Sequence, residues 1–199
     1  QKTTSRNPRS TVGTVTEVYD FLRLLFARAA DAYSYASGEK MVQYTDDQII
    51  DLILREYTGQ KVLVLAPMVN NRKGHYKELF ETIRRKGYLH VRVDGEVMEI
   101  APGMKLDRYK NHTIEVVVDR LKLKGENEED IKRLRATVDK AMTQGDGVMA
   151  IALPSSSSPT SNTIRYFSRH LMCPTTGMSY AEPAPHTFSF NSPQGWCPC

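Results

Sequence analysis

Apolar positions along the chain change their period several times, and each change marks an element. Apolar residues at 18, 21, 22, 25 and 26 share one helical face and predict a helix over residues 15–28. Residues 29–44 break that pattern. Thr45 stands three residues before Gln48, the spacing of a capping box, and the apolar positions Ile49, Ile50, Leu52, Ile53 and Leu54 follow. A second helix should therefore run to about Tyr57 and stop at Thr58-Gly59. The nearly continuous apolar run 61–66, ended by Pro67, predicts a buried strand, and residues 70–74 a basic turn-forming loop. Tyr76, Leu79, Phe80 and Ile83 predict a helix over 75–86 closed by Gly87.

Residues 88–97 alternate around Asp94-Gly95, a hairpin signal with a strand on either side. Another strand is expected over 113–120, with Ile114, Val116 and Val118 on one face and Glu115 and Val117 on the other. Ile131, Leu134, Val138 and Ala141 predict a helix over 131–142, and residues 148–153 a last strand. The order αβαβββαβ across residues 45–154 predicts a compact mixed α/β unit. The Ser/Pro stretch 155–161 reads as a linker or hairpin tip. Residues 164–199, rich in proline and holding every cysteine, read as a loop-rich, stapled arm rather than helix or sheet.

Composition narrows the class. The 199 residues leave room for one or two domains and a sizeable core. Hydrophobic residues at 40% and charged residues at 25% fit a globular protein, and no apolar run is long enough to span a bilayer. A soluble intracellular protein with no membrane partner is expected. The net charge of +4 is spread along the chain and permits anionic partners without singling one out. Three cysteines cannot close a disulfide framework, which leaves a metal knuckle or reduced thiols in a reducing compartment.

The opening segment carries the densest pattern. It has neither an initiator Met nor a targeting signal, so it is expected to lie inside a larger protein. Lys2, Arg6 and Arg9 alternate with Ser and Thr hydroxyls, which suits phosphate oxygens, although a polar surface loop looks the same. As a string, QKTTSRNPRSTVGTVTE resembles the segment around the Q-loop of the UvrA family, the damage-recognition ATPases of bacterial nucleotide excision repair. Leu65-Ala-Pro67, Arg72-Lys-Gly74, Val91-Arg-Val-Asp-Gly-Glu96 and His112-Thr-Ile-Glu-Val-Val-Val-Asp-Arg120 are similar to strings of that family in the same order. So are Phe188-Ser-Phe-Asn191 and Gly195 before Cys197-Pro198, so the resemblance covers essentially the whole chain.

The resemblance implies three parts. Residues 1–43 would be a helical segment of the first ATP-binding domain, 44–158 a mixed α/β UvrB-binding domain, and 159–199 a return segment leading toward a zinc-containing region. In the whole protein it implies ATP, magnesium and zinc as cofactors, a UvrA homodimer, UvrB and DNA as partners, and a cytoplasmic bacterial location. Gln1 matches the nucleotide-sensing Q-loop glutamine. No G-x-x-x-x-G-K-[ST] phosphate-binding loop occurs, so these residues are expected neither to hydrolyse ATP nor to carry a catalytic residue.

For the middle part the resemblance implies a docking surface for UvrB. His90 and Arg92 lie two apart on one strand and share a face, and Arg120 closes a strand with a buried side. Arg92 and Arg120 are expected to make charge-assisted contacts to the partner, with His90 and the Arg72-Lys73 loop at the rim. A solvated face is the plain alternative for each. Asp94 and Glu96 flank a solvated hairpin tip, which gives no burial to separate two carboxylate pKa values, and the five histidines show no ligand spacing.

The cysteines depart from the family pattern of two C-P-x-C knuckles. Cys173 and Cys197 match ligand positions, but Thr176 stands where a second thiolate is expected and Cys199 occupies the x position. Tyr33-Ser-Tyr35 likewise stands where many relatives carry Cys-Pro-x-His. No metal site is expected from this set. A different class of function is direct DNA contact, with Lys2, Arg6, Arg9, Arg84, Arg85 and Lys86 tracking phosphates.

Overall fold

The structure is a computed structural model that describes residues 12–123, 127–154, 164–180, 182–190 and 192. Gln1, Lys2, Arg6, Arg9, the 155–161 linker, Cys197 and Cys199 lie outside the described residues. The chain divides into two compact units, one holding residues 34–180 and the other the two ends.

In the unit of the two ends, a four-residue turn of helix, α1 (Val12–Val15), precedes α2 (Val18–Ala29), the helix expected from the first apolar stripe. Tyr19 and Phe26 of α2 meet Phe190 and Phe188, with ring centroids 5.2 and 6.0 Å apart. The Tyr19 hydroxyl donates to the Phe188 carbonyl at the end of a 3-10 turn, Pro185–Phe188. Phe21, Leu25 and Phe26 remain more than half exposed.

The larger unit follows the expected order. α3 (Asp46–Tyr57) starts at the expected capping box: Thr45 Oγ1 accepts from the Gln48 amide at 3.3 Å and Gln48 Oε1 from the Thr45 amide at 3.0 Å. Then come β1 (Lys61–Lys73), α4 (Lys77–Arg85), β2 (His90–Val93), β3 (Glu96–Glu99), β4 (Asn111–Lys122), α5 (Glu128–Gln144) and β5 (Val148–Ala152). β6 (Ile164–Ser168) adds a sixth strand, and every neighbouring pair in the order β3-β2-β4-β1-β5-β6 is antiparallel. Asp94 at φ 50° and Gly95 at φ 100° make the two-residue turn of the β2–β3 hairpin, a conformation that Gly and Asp tolerate.

Two expectations change. β1 does not end at Pro67 but continues through the expected loop 70–74 as far as Lys73. The register with β4 shifts around Pro67, and β5 pairs only with Leu63–Leu65, so the proline sits in an irregular stretch with one partner strand. Glu115 and Val117 on β4 are as buried as their neighbours: Glu115 meets Arg92 and Tyr166, and Val117 packs in a cluster with Leu63, Leu65 and Tyr166. Finally, the segment after 163 is not all loop: β6 joins the main sheet, and β7 (Leu171–Met172) pairs with β8 (Ser179–Tyr180).

Two cores lie on the helical side. Ile49, Ile50 and Ile53 of α3 and Leu134, Val138 and Met142 of α5 pack on Val62, Val64, Met149 and Ile151. Phe80 and Ile83 of α4 pack on Val91, Val93, Ile114 and Val116. Each such fully buried side chain contributes about 1.5–3 kcal/mol relative to exposure. A third cluster, Leu63, Leu65, Val117, Ala150 and Ala152 with Ile164 and Tyr166, lies apart from the helices.

Candidate docking site

Strand pairing places Arg92 opposite Glu115 on β4 and Val97 on β3, and Arg120 opposite Leu63 on β1. Arg92 and Arg120, singled out in the sequence, both line one groove of about 550 Å³. Lys61 and Lys122 stand at its edge, and Leu63, Val97 and Leu153 supply apolar wall. The two arginines differ sharply in surroundings. Arg92 is 5% exposed, and its Nη1 donates to Glu115 Oε2 at 2.6 Å, so its guanidinium is held within the protein. Arg120 is exposed and, like Lys61 and Lys122, pairs with no carboxylate among the described residues.

Glu115 carries a second neighbour. The Tyr166 hydroxyl lies 3.5 Å from its Oε1, and burial, together with the carboxylate's charge, pushes the phenol up to about 12. Tyr166 therefore stays a neutral donor, and the Arg92–Glu115–Tyr166 chain is a fixed polar network that reaches the groove at Arg92. His90 is half-buried at the start of β2, opposite Glu99, and does not line the groove.

Arg72 and Lys73 fall elsewhere. They pair with His112 and Asn111 at the other end of β4 from Arg120, so a single rim holding all five expected residues is not what the structure builds. Sequence reasoning missed Lys61, Lys122, Val97 and Leu153. The only signal for the lysines was a cation at the end of each of two apolar runs, and that becomes informative only once β1 and β4 are known to be antiparallel.

The Cys173 turn tests whether zinc fits. Val42 and Met172 exchange backbone hydrogen bonds at 2.9 Å, which brings the 34–39 segment against the turn 173–177. Cys173 is fully buried, with Sγ 3.1 Å from Ser37 Oγ. Burial pushes the thiol up, but hydrogen bonds from Ser34, Ser37 and Thr176 outweigh it and bring the group down to about 6. The two places where the sequence departs from the family's ligand pattern thus come together, with hydroxyls around a single thiol. Among the described residues no group of three His, Cys, Asp or Glu is placed to hold a metal, so this cluster does not fit a tetrahedral zinc.

Residues 44–155 match the model of a family described as the UvrA interaction domain. The chain belongs to the UvrA family. It is 45% identical over 199 residues to UvrABC system protein A of Methanothermobacter thermautotrophicus, covering 100% of this chain and 20% of that protein. The corresponding proteins of Deinococcus radiodurans and Thermus thermophilus are 40% and 41% identical over 199 and 200 residues, covering 99% and 100% of this chain and 19% and 20% of theirs. The chain thus spans about a fifth of the length of the UvrA relatives it matches. The matched interaction domain contains every residue that lines the groove. No helix among the described residues is long and apolar enough to cross a membrane.

Proposed function

We propose that this region of a UvrA-family protein docks UvrB during nucleotide excision repair, through the groove between Arg120 and the β2–β3 hairpin. The observation that carries this reading is the combination of exposed cations that pair with no carboxylate among the described residues, Lys61, Arg120 and Lys122, with the apolar wall of Leu63, Val97 and Leu153. Apolar contact supplies affinity and the exposed cations select an acidic partner surface and speed encounter. Arg92 shapes the groove from within, through its bond to Glu115. No bond is made or broken in this role. ATP hydrolysis with magnesium, zinc binding, dimerisation and the main DNA contacts would belong to the remainder of a longer cytoplasmic protein, with Gln1 in its nucleotide site.

Calorimetric titration of the chain with UvrB tests the reading. Saturable binding that Arg120→Ala weakens, with the circular dichroism spectrum retained, supports it. A folded chain that releases no heat with UvrB overturns it.

A further inference from the structure

A second cationic surface lies at the far end of the same strand pair. β1 ends in Arg72 and Lys73, whose partners on β4 are His112 and Asn111. The loop 101–110 folds back on this end: the Leu106 amide donates to the His75 carbonyl at 2.9 Å, and His112 Nε2 lies 2.9 Å from the Asp107 carbonyl oxygen. Leu106 and Met104 pack with Tyr76 against the core beneath α4. A hollow of about 640 Å³ results, lined by Gly74, His75, Lys105, Leu106 and Arg108.

Arg72, Lys73, Lys105, Arg108 and Lys110 are all exposed, and none pairs with a carboxylate among the described residues. Arginines elsewhere on the surface mostly do pair: Arg55 and Arg165 with Glu56, Arg85 with Glu81, Arg133 with Asp119, Arg135 with Asp47 and Arg169 with Asp46. The one carboxylate of the loop, Asp107, is itself exposed; it accepts from the Tyr109 amide at 3.0 Å and makes no ion pair with the loop's cations. Tyr109 itself is 72% exposed, with the Arg108 guanidinium 5.0 Å from its ring centre.

We infer that this end of the sheet, Arg72-Lys73 with Lys105, Arg108 and Lys110, binds the phosphodiester backbone of DNA, independently of the docking groove. Two features favour a nucleic acid over an acidic protein. The surface has cations on a pre-ordered loop and strand end but, unlike the groove, only half-buried Leu106 as apolar lining. It also places an exposed aromatic ring between two cations, a base- or sugar-stacking arrangement. Because hydrogen bonds already fix the loop, little order has to be imposed on binding. The cations at the end of α4 are a poorer surface, since Arg85 pairs with Glu81 and Lys86 donates to Gln144.

The test is duplex DNA binding by the full chain, followed by fluorescence anisotropy over a range of salt. Each phosphate contact contributes about 0.9 to the slope of log affinity against log salt. Wild type is expected to bind with a steep slope. Lys105→Gln/Arg108→Gln should weaken binding severalfold and lower the slope by about two, while Lys61→Gln/Lys122→Gln in the groove changes neither. If the loop variant loses its circular dichroism spectrum, Arg72→Gln/Lys73→Gln replaces it with the same expectation. The inference falls if wild type does not bind DNA at low salt, if these variants bind as wild type, or if only Lys2→Gln/Arg6→Gln/Arg9→Gln abolishes binding. It also falls if polyglutamate competes as well as DNA, which would make the surface a site for acidic polypeptide. UvrB titrations of the same variants separate this surface from the groove: failure of one leaves the other standing.

Discussion

Arg72 and Arg120 sit at opposite ends of one antiparallel strand pair. Arg72, near the end of β1, faces His112 near the start of β4, whereas Arg120, near the end of β4, faces Leu63 near the start of β1. The nine residue steps of strand from Leu63 to Arg72 span up to roughly 30 Å. Two basic clusters that look like one set along the sequence are therefore separate surfaces, one beside an apolar groove and one on a solvated loop.

That separation sets the first expectation. Arg120→Ala should weaken UvrB binding by about 1–2 kcal/mol, as truncation of an exposed charge beside an apolar contact does, whereas Arg72→Ala should change it by less than about 0.5 kcal/mol. Both residues are exposed, so urea midpoints should stay within error of wild type. Parallel calorimetric titrations settle it. Equal losses in the two variants would return Arg72 to the docking surface.

Arg92 should behave oppositely, as a residue whose first effect is on stability. With 6% and 1% of their side chains exposed, Arg92 and Glu115 form an internal pair, and removing one partner strands the other charge. Arg92→Leu alone should cost about 3–5 kcal/mol. Arg92→Leu/Glu115→Leu should recover most of that, because an apolar pair of similar volume removes the desolvation penalty as well as the attraction. Urea unfolding of the two variants distinguishes this from a direct docking role, in which the double variant would be stable and the single one no less so.

The element order from α3 to β5 was legible because each element announces itself locally, by period, cap or turn residue. Thr45 and Gln48 form the expected box and Asp94-Gly95 the expected turn. What stayed hidden depended on pairing. Whether Pro67 ends a strand is decided by whether a neighbour needs its missing amide, and β5 stops short of it. Arg92 and Arg120 could be singled out as cations on predicted strands, but that Arg92 is enclosed follows from Glu115 lying opposite it, which no local pattern encodes. Ile164–Ser168 was read as loop because it opens a segment rich in proline and cysteine and its partner, β5, lies across the 155–163 stretch.

His112 offers a pH test. Its Nδ1 lies 2.6 Å from Asp94 Oδ2, and Nε2 meets the Asp107 carbonyl, so only the protonated ring donates to both. The Asp94 hydrogen bond, against the effect of burial, raises His112 above the usual imidazole value of 6.5. Burial works to raise Asp94, but its bonds to His112 and the Thr113 amide hold it below 3.8. A raised histidine contributes stability fully below 6.5 and loses it as pH climbs through its folded value, while a lowered aspartate loses its contribution as pH falls below 3.8. The stability advantage of wild type over His112→Gln should therefore be largest between about pH 4 and 6.5 and shrink at alkaline pH, as read from thermal midpoints at fixed ionic strength. An advantage that grows toward pH 9 would show that the ring is held neutral.

The Cys173 thiol gives the last expectation. Three hydroxyl neighbours, from Ser34, Ser37 and Thr176, are what bring it down to about 6 against the opposing effect of burial. In a background with Cys197 and Cys199 changed to Ser, the remaining thiolate absorbance in the ultraviolet reports Cys173 alone. Ser37→Ala removes the donor 3.1 Å from Sγ and leaves burial unopposed by that bond, so the titration should move to higher pH, and Ser34→Ala/Ser37→Ala should move it further. Because the ionised thiol is favoured in the folded chain, wild type should also gain stability over Cys173→Ala as pH rises from about 6 toward 9, and lose that gain as pH falls. A titration unmoved by either serine substitution would mean that the hydroxyls merely fill the space around a neutral thiol.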